Sequence, residues 1–189
     1  MTTKSIKYLF LEHLTLGQKV NIKNPIKVID KCVRLAWRDM LSAGRYYKLD
    51  KNIIVKYKEI LKRNNYNNPA VIRNESLNLF GDQEKIYMQR NSEKFATRFG
   101  LCQKLVNMTF KYFFVFNDYT KLNINYSQCD CPLDRKILNK INYTDTVWSK
   151  LTKEEYSKCQ NKIAEKLSKV ILTDELKTLN NLAFDFINW

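Results

Sequence analysis

Four polar side chains interrupt the most hydrophobic stretch of the sequence, which runs from residue 99 to residue 116. On a helical wheel, Gln103, Lys104, Asn107 and Lys111 fall together in a sector of about a quarter turn, and apolar side chains cover most of the remainder. A helix this apolar is buried on nearly every side, so its polar sector must face a cavity, a partner or a ligand. Lysines are rarely buried unless they are paired or take part in chemistry. We call these four residues the polar stripe.

A carboxylate follows at the start of a later predicted helix. Pro132 and Leu133 lead to Asp134, and a helical pattern covers residues 132–141. Asp134 therefore stands where the amino end of that helix would lie. The polar stripe and this carboxylate together form our candidate functional core.

The order of these elements resembles that of the helix-hairpin-helix DNA glycosylases. The stretch FGLCQKLVN is similar to the hairpin of that superfamily, and CPLDRKIL is similar to its Pro-x-Asp segment. The resemblance implies an all-helical enzyme that excises a damaged or modified base flipped out of double-stranded DNA, in repair or in antiphage defence. It implies that Asp134 is the essential carboxylate, that Lys104 is the nucleophile and that the backbone at Gly100 contacts a phosphate. Lys111, roughly 10 Å further along the helix axis, is a second candidate for the amine.

The residue types suit this chemistry. Breaking an N-glycosidic bond builds positive charge on the sugar, which a carboxylate such as Asp134 stabilises. A lysine desolvated in an apolar wall loses basicity, and its neutral amine can attack the sugar carbon to form a Schiff base. The flipped base needs a pocket, whose polar lining we assign to Gln103, Asn107 and Lys111. Such a site needs no cofactor and no metal.

Each of these residues also has a purely structural interpretation, which stays open at this point. Lys104 can extend from a core helix to solvent or to an acidic partner. Asp134 after Pro132 can be an ordinary helix cap. Gln103 and Asn107 can satisfy buried backbone groups or pair with each other.

The charge of the chain favours a nucleic-acid partner. Its 33 Lys and Arg against 19 Asp and Glu give a net charge of +14, and residues 1–66 hold 15 basic against 5 acidic side chains. Phosphate neutralisation dominates binding to nucleic acid. The alternative function is a non-catalytic basic helical module that binds nucleic acid or an acidic protein, and charge does not separate RNA from DNA. The candidate phosphate-facing residues lie on one predicted helix and just after it: Lys27, Lys31, Arg34, Arg38 and Arg45.

The cysteines and the single histidine argue against a metal site. Cys129 and Cys131, with Cys102 and Cys159, could bind zinc as thiolates, but only one close pair is present. Buried free thiols are the commoner outcome. Five cysteines, no secretory signal and no apolar run of membrane-spanning length predict a cytoplasmic protein.

Spacing and capping signals predict an all-α fold, a compact array of eight to ten helices around one central buried helix, in a single domain. The resemblance divides it into two coupled lobes, residues 1–66 with 150–189 and residues 67–149, the second carrying the Lys/Asp site. The helix at residues 25–44 should start at an Asn24 cap and bury Ile26, Ile29, Val33, Ala36, Trp37 and Met40. The other predicted helices cover residues 4–16, 50–63 with Asp50 as cap, 69–81, 82–90, 92–99, 101–116, 132–141, 152–170 and 173–189.

Overall fold

The structure, a computed structural model, describes residues 24–44, 49, 52–88 and 91–188, and the chain is mostly helical. The predicted helix at 4–16, with His13, and the residues Arg45, Asp50 and Trp189 lie outside the described residues. Short 3-10 turns cover Asn78–Phe80, Tyr126–Gln128 and Trp148–Lys150. The described elements are α1 (Pro25–Gly44), α2 (Ile53–Arg63), α3 (Pro69–Leu77), β1 (Lys85–Met88), β2 (Asn91–Thr97), α4 (Arg98–Val115), α5 (Asn117–Thr120), α6 (Arg135–Lys140), α7 (Lys153–Leu167), α8 (Asp174–Lys177) and α9 (Leu182–Ile187).

Helix α1 begins where the sequence predicts. The Asn24 Oδ1 accepts hydrogen bonds from the Ile26 and Lys27 backbone N–H groups, at 3.0 and 3.3 Å. The prediction that Ile26 is a core residue is wrong, since 76% of its surface is exposed. Ile26 lies only about 20° from Val33 on the helical wheel, so its direction does not explain its exposure. It is the second residue of α1, at the end of the helix, beyond the first buried residue, Val28. The buried face of α1 comprises Val28, Cys32, Val33, Leu35, Ala36 and Met40.

Helices α2 and α3 also follow the predicted pattern. The α2 helix begins at Ile53 and ends at Arg63, and its N-cap is Asn52, so the prediction of Asp50 as the cap is wrong. At the start of α3, the Asn68 side chain accepts a hydrogen bond from the Val71 backbone N–H. The 3-10 turn after α3 ends at Gly81, whose φ of 85° suits glycine.

A β-hairpin replaces the helices predicted at 82–90 and 92–99, so that prediction is wrong. The β1 and β2 strands pair antiparallel, with Ile86 opposite Ala96 and Tyr87 opposite Phe95. Ile86 and Ala96 are buried, whereas Tyr87 is 46% exposed and its ring centroid lies 6.0 Å from that of Phe95. This alternation between two faces is the pattern of a strand and not of a helix.

Helix α4 is the central buried helix that the sequence predicts, although it starts three residues earlier, at Arg98. Every residue from Phe99 to Val115 is buried. Thr97 ends the hairpin and caps α4, since its Oγ1 accepts from the Gly100 N–H at 2.9 Å and donates to the Leu151 carbonyl at 2.7 Å. Helices α1 and α3 pack against α4.

The carboxyl-terminal part covers the other side of α4. Thr152 and Glu155 form a capping box at the start of α7, where the sequence predicts a helix. The single helix predicted over residues 173–189 is wrong, because two short helices, α8 and α9, flank a turn with Asn180 at φ 48°. The aromatic residues of α9 pack onto the body of the protein, with the Phe186 ring centroid 5.2 Å from that of Phe114.

Across the described ranges, no helix is both long enough and apolar enough to cross a membrane. The division into two lobes stays a prediction.

Candidate functional site

Three residues of the polar stripe, Gln103, Lys104 and Asn107, face an irregular segment of the chain, residues 129–134, which runs through the core. The Gln103 side chain lies against Leu133, with its Nε2 3.4 Å from the Leu133 carbonyl and its Oε1 3.5 Å from the Leu133 N–H. Asn107 donates to the Cys131 carbonyl at 3.2 Å. On the other side, Gln160 of α7 accepts from the Cys131 N–H and donates to its carbonyl, at 3.2 and 2.8 Å. Three side-chain amides thus take the place that a neighbouring strand would have in a sheet.

These contacts match the structural interpretation of Gln103 and Asn107. Both side chains are buried and satisfy buried backbone groups, and the Asn107 Nδ2 is also 3.5 Å from the Gln103 Oε1. An unpaired peptide group in the core lowers the stability of the folded chain. The Gln103 and Asn107 amides prevent this loss by pairing with the buried backbone of residues 131–133.

Lys104 and Asp134, thirty positions apart in sequence, are brought together as the site prediction requires. The Lys104 Nζ lies 3.2 Å from the Asp134 Oδ2, and 5.8 Å from the centroid of the Trp148 ring. Only 6% of the Lys104 side chain is exposed, against 37% of the Asp134 side chain. Asp134 is also the N-cap of α6, because its Oδ1 accepts from the Ile137 N–H at 2.9 Å. The pair is therefore a buried cation held to a carboxylate that is open to solvent.

The surroundings keep Asp134 ionised. Burial by itself raises the pKa of this carboxyl group, but the charge of Lys104 and the hydrogen bonds from the Ile137 amide and from Lys104 outweigh it, and the pKa lies below its ordinary value. At neutral pH the site presents a carboxylate anion.

Lys111, the alternative amine, lies in a different environment. Its Nζ is 2.5 Å from the Asp185 Oδ2, and the two side chains are only 6% and 7% exposed. The Phe186 ring lies 5.8 Å from the same Nζ. This closed ion pair lies within the core, where a DNA sugar has no access. The sequence analysis missed Asp185, although an acidic residue between two phenylalanines in an aromatic terminus is a signal for a buried partner.

Gly100 does not form the turn of a hairpin between two helices. It is the third residue of α4, reached directly from strand β2, and its N–H is already donated to Thr97. A Cβ atom at this position would lie 2.6 Å from the Ser149 carbonyl oxygen, so the residue is a glycine because of close packing. Gly100 thus lacks the open backbone turn that the predicted phosphate contact assumes, and that contact stays a prediction.

A second polar cluster joins α3, α4, α7 and the 129–134 segment, and the sequence analysis did not find it. The Arg73 Nη1 donates to the Asp130 Oδ2 and to the Tyr156 Oη, both at 3.0 Å. The Tyr156 hydroxyl donates to the Asp130 Oδ2 at 2.7 Å and accepts from Asn107 at 2.8 Å. Burial and the neighbouring Asp130 raise the pKa of Tyr156 well above its usual value, which keeps its proton in place.

The described cysteines are buried free thiols. Burial raises the pKa of Cys102 to about 12 and of Cys159 to about 11, and it also raises the pKa of Cys129 and Cys131. Protonated thiols are poor metal ligands. In the part of the chain that the structure describes, no three His, Cys, Asp or Glu side chains are placed to hold a metal ion.

The basic face of α1 is exposed but partly neutralised. Lys27 is exposed and Lys31 is half-buried. Arg34 pairs with Asp30 at 2.6 Å, and Lys58 of α2 contacts the same carboxylate. Arg38 pairs with Asp39 at 3.2 Å. The net positive charge of this face is therefore smaller than its count of Lys and Arg indicates.

Comparison with known proteins adds no identity: no known protein family, no curated protein and no solved structure matches this chain. The function has to be inferred from the arrangement of its own residues.

Proposed function

We propose that this chain is a DNA-binding protein with a glycosylase-like site at Asp134, built on a mostly helical fold in which a β-strand leads into α4 where the helix-hairpin-helix glycosylases have a helix. The observation that carries the proposal is the Lys104–Asp134 pair at 3.2 Å, in which the carboxylate is 37% exposed. The sequence predicts these two residues for this chemistry, and they lie thirty positions apart in the chain.

In the proposed reaction, Asp134 stabilises the positive charge that develops on the sugar. The bond between the sugar C1′ and the base nitrogen breaks, and its electron pair leaves with the base. Water then adds to C1′, and the proton that it loses passes to the departing base, which leaves an abasic site and a neutral base. Because the pKa of Asp134 is lowered, its side chain is the carboxylate anion that stabilises the positive charge on the sugar.

Lys104 serves in this proposal as a positioning residue. Its Nζ already donates to the Asp134 Oδ2, and its side chain is almost fully buried. It is therefore placed to hold the carboxylate and not to reach a sugar carbon. A Schiff-base step at Lys104 forms no part of the proposal.

Two exposed cations next to the carboxylate support a nucleic-acid substrate. Arg135 and Lys136 follow Asp134 directly and are both exposed, and Lys140 lies one turn further along α6. Basic side chains beside a carboxylate allow a polyanion to approach a negative site.

The test uses genomic DNA from several sources, including phage DNA with modified cytosines, followed by detection of abasic sites. We expect abasic sites to form and the rate to fall by about 100-fold or more in Asp134→Asn. Asp174→Asn is the matched control, because Asp174 is 99% exposed and lies at the start of another helix. Borohydride trapping tests Lys104, and no covalent adduct is expected. Equal rates in Asp134→Asn and wild type would contradict the proposal.

The second candidate function is the non-catalytic basic module. The observation that favours it is that Gln103, Lys104 and Asn107 all contact the buried 129–134 segment or its end, so the stripe has a complete structural role. Under this alternative no DNA yields abasic sites. Changing Lys27 and Arg34 to Gln would weaken salt-dependent DNA binding, whereas Asp134→Asn would leave it unchanged.

A further inference from the structure

A polar cavity lies beside the Arg73–Asp130–Tyr156 cluster. Its volume is about 380 Å³, within the range of sites for small molecules. Residues from α3, α7 and the 129–134 segment line it, and neither Lys104 nor Asp134 is among them. The cavity is thus distinct from the site assigned above.

Arg73 presents donors to this cavity. Its Nη1 is occupied by Asp130 and Tyr156, but its Nε and Nη2 groups make no hydrogen bond to any of the residues that the structure describes. The ring of Tyr156 lies against the guanidinium, with the Arg73 Cζ 4.9 Å from the ring centroid. Asp130 and Tyr156 therefore fix the orientation of Arg73 and leave one edge of its planar fork for a ligand. Such an edge matches two oxygens of a phosphate.

Further lining residues extend this donor set. Lys153 lies on the wall at the start of α7 and is exposed, and it brings a second cation to the cavity. Two exposed amides, Asn74 and Asn161, line it as well. With Asp130 as the one lining carboxylate, the described walls carry a net charge of +1. This arrangement favours an anion that also carries hydroxyl groups.

The aromatic lining argues against a stacked base. Phe99 is only 9% exposed and Tyr156 only 4%, so neither offers the open ring face on which a nucleobase stacks. Hydroxyl groups, by contrast, have partners in the Asp130 carboxylate and in the amides on the wall.

We propose that this cavity binds a sugar phosphate monoester, with the phosphate on Arg73 and Lys153 and sugar hydroxyls on Asp130 and the amides. The ligand could be a free sugar phosphate or the 5′-phosphorylated end of a nucleic-acid strand, because both carry this group. The proposal does not depend on the glycosylase-like reaction.

The first experiment is calorimetric titration of the full chain with ribose 5-phosphate, with ribose as the control that lacks the phosphate. We expect saturable one-to-one binding of ribose 5-phosphate and at least about tenfold weaker binding of ribose. Equal affinity for the two compounds, or no saturable binding of ribose 5-phosphate, would overturn the proposal.

Variants then locate the site. Lys153→Gln should weaken binding about tenfold, whereas Lys158→Gln, an equal change of charge at an exposed lysine of the same helix outside the cavity, should change it less than about twofold. Arg73→Lys keeps the charge but loses the planar fork, and should weaken binding by more than about tenfold. Because Arg73 also holds Asp130, Asn74→Asp tests the site at an exposed position of the wall and leaves the cluster intact. The added negative charge should weaken the binding of ribose 5-phosphate, and unchanged affinity would overturn the proposal. Equal effects of Lys153→Gln and Lys158→Gln would mean non-specific charge binding and would overturn the proposal.

A final comparison separates the two sources of the phosphate. A short oligonucleotide with a 5′-phosphate is compared with the same strand bearing a 5′-hydroxyl. A preference for the phosphorylated strand that disappears in Lys153→Gln assigns the cavity to strand ends. Binding of ribose 5-phosphate without that preference assigns it to free sugar phosphates. None of these experiments changes Asp134. A failure of the sugar-phosphate proposal can therefore be told apart from a failure of the glycosylase-like proposal.

Discussion

Two ion pairs on the same helix show how differently one pair of residue types can be used. Lys104 and Lys111 lie on the same stripe of α4, and each is only 6% exposed. Their partners differ, because Asp134 is 37% exposed whereas Asp185 is 7% exposed. The Lys111–Asp185 pair is closed within the core, whereas the Lys104–Asp134 pair reaches solvent through its carboxylate.

This difference shows that a buried lysine alone does not mark a functional site. The two sites differ in whether the carboxylate that pairs with the lysine reaches solvent and accepts a further hydrogen bond from the backbone. Asp134 keeps a hydrogen bond from the Ile137 N–H when Lys104 is removed, and water reaches it as well. Asp185 is enclosed, so the loss of Lys111 would leave its charge desolvated. The two pairs should therefore respond differently to the same substitutions.

The largest effect is expected for Lys111→Met, which leaves the buried Asp185 without its counter-ion. The free energy of unfolding should fall by about 3–5 kcal/mol, measured by urea denaturation at neutral pH. The double variant Lys111→Met with Asp185→Leu should recover most of this loss, since it removes both buried charges. If Lys111→Met lowers the free energy of unfolding no more than Lys104→Met does, the two ion pairs do not differ in the way that we propose.

A smaller effect is expected for Asp134→Asn. The amide can still cap α6, but the buried Lys104 loses its negative partner. Water reaches position 134, whose side chain is 37% exposed, and replaces part of that interaction, so we expect a fall of about 1–2 kcal/mol in the free energy of unfolding. Thermal or urea unfolding at pH 7 measures it. A loss as large as that of Lys111→Met would mean that the remaining Lys104 is as poorly hydrated as the Asp185 that Lys111→Met leaves behind.

Lys104→Met should lower the free energy of unfolding by a smaller amount, about 1 kcal/mol. The remaining Asp134 carboxylate stays partly hydrated and keeps its backbone hydrogen bond, while a methionine fits the apolar surroundings of the lysine stem. The same denaturation experiment measures it, with Lys111→Met as the matched comparison. A cost above that of Asp134→Asn would show that the lysine supports the core beyond its partner.

The smallest effect is a dependence on pH. The pKa of Asp134 is lower in the folded chain than its ordinary value of about 3.9, so its contribution to stability is fully present above that pH and is lost as the pH falls through the folded-state pKa. The stability difference between wild type and Asp134→Asn should therefore stay constant from pH 7 to about pH 5 and shrink below about pH 4. Urea denaturation across this range tests it. A difference that grows on acidification would contradict the sign of the shift.

Local signals predicted most of the helices because their causes lie close together in sequence. The Asn24 cap, the Asn68 cap and the Thr152–Glu155 capping box each involve residues within four positions. The predictions failed where a distant contact decided the structure. The hairpin needs Ile86 and Ala96 to meet across ten positions, and this contact outweighs the local pattern that predicts a helix over residues 92–99. The early start of α4 depends on Thr97, whose hydroxyl contacts Leu151.

The sequence by itself determined that α4 is buried and that its polar residues form one stripe, because helical geometry places them without reference to the rest of the chain. It also placed Asp134 at the amino end of a helix. Only the tertiary structure decided what each residue of the stripe contacts. Lys104 meets Asp134, Lys111 meets Asp185, and Asn107 meets Cys131 and Tyr156. The physical reason is that partners far apart in sequence are chosen by packing, which no local pattern records.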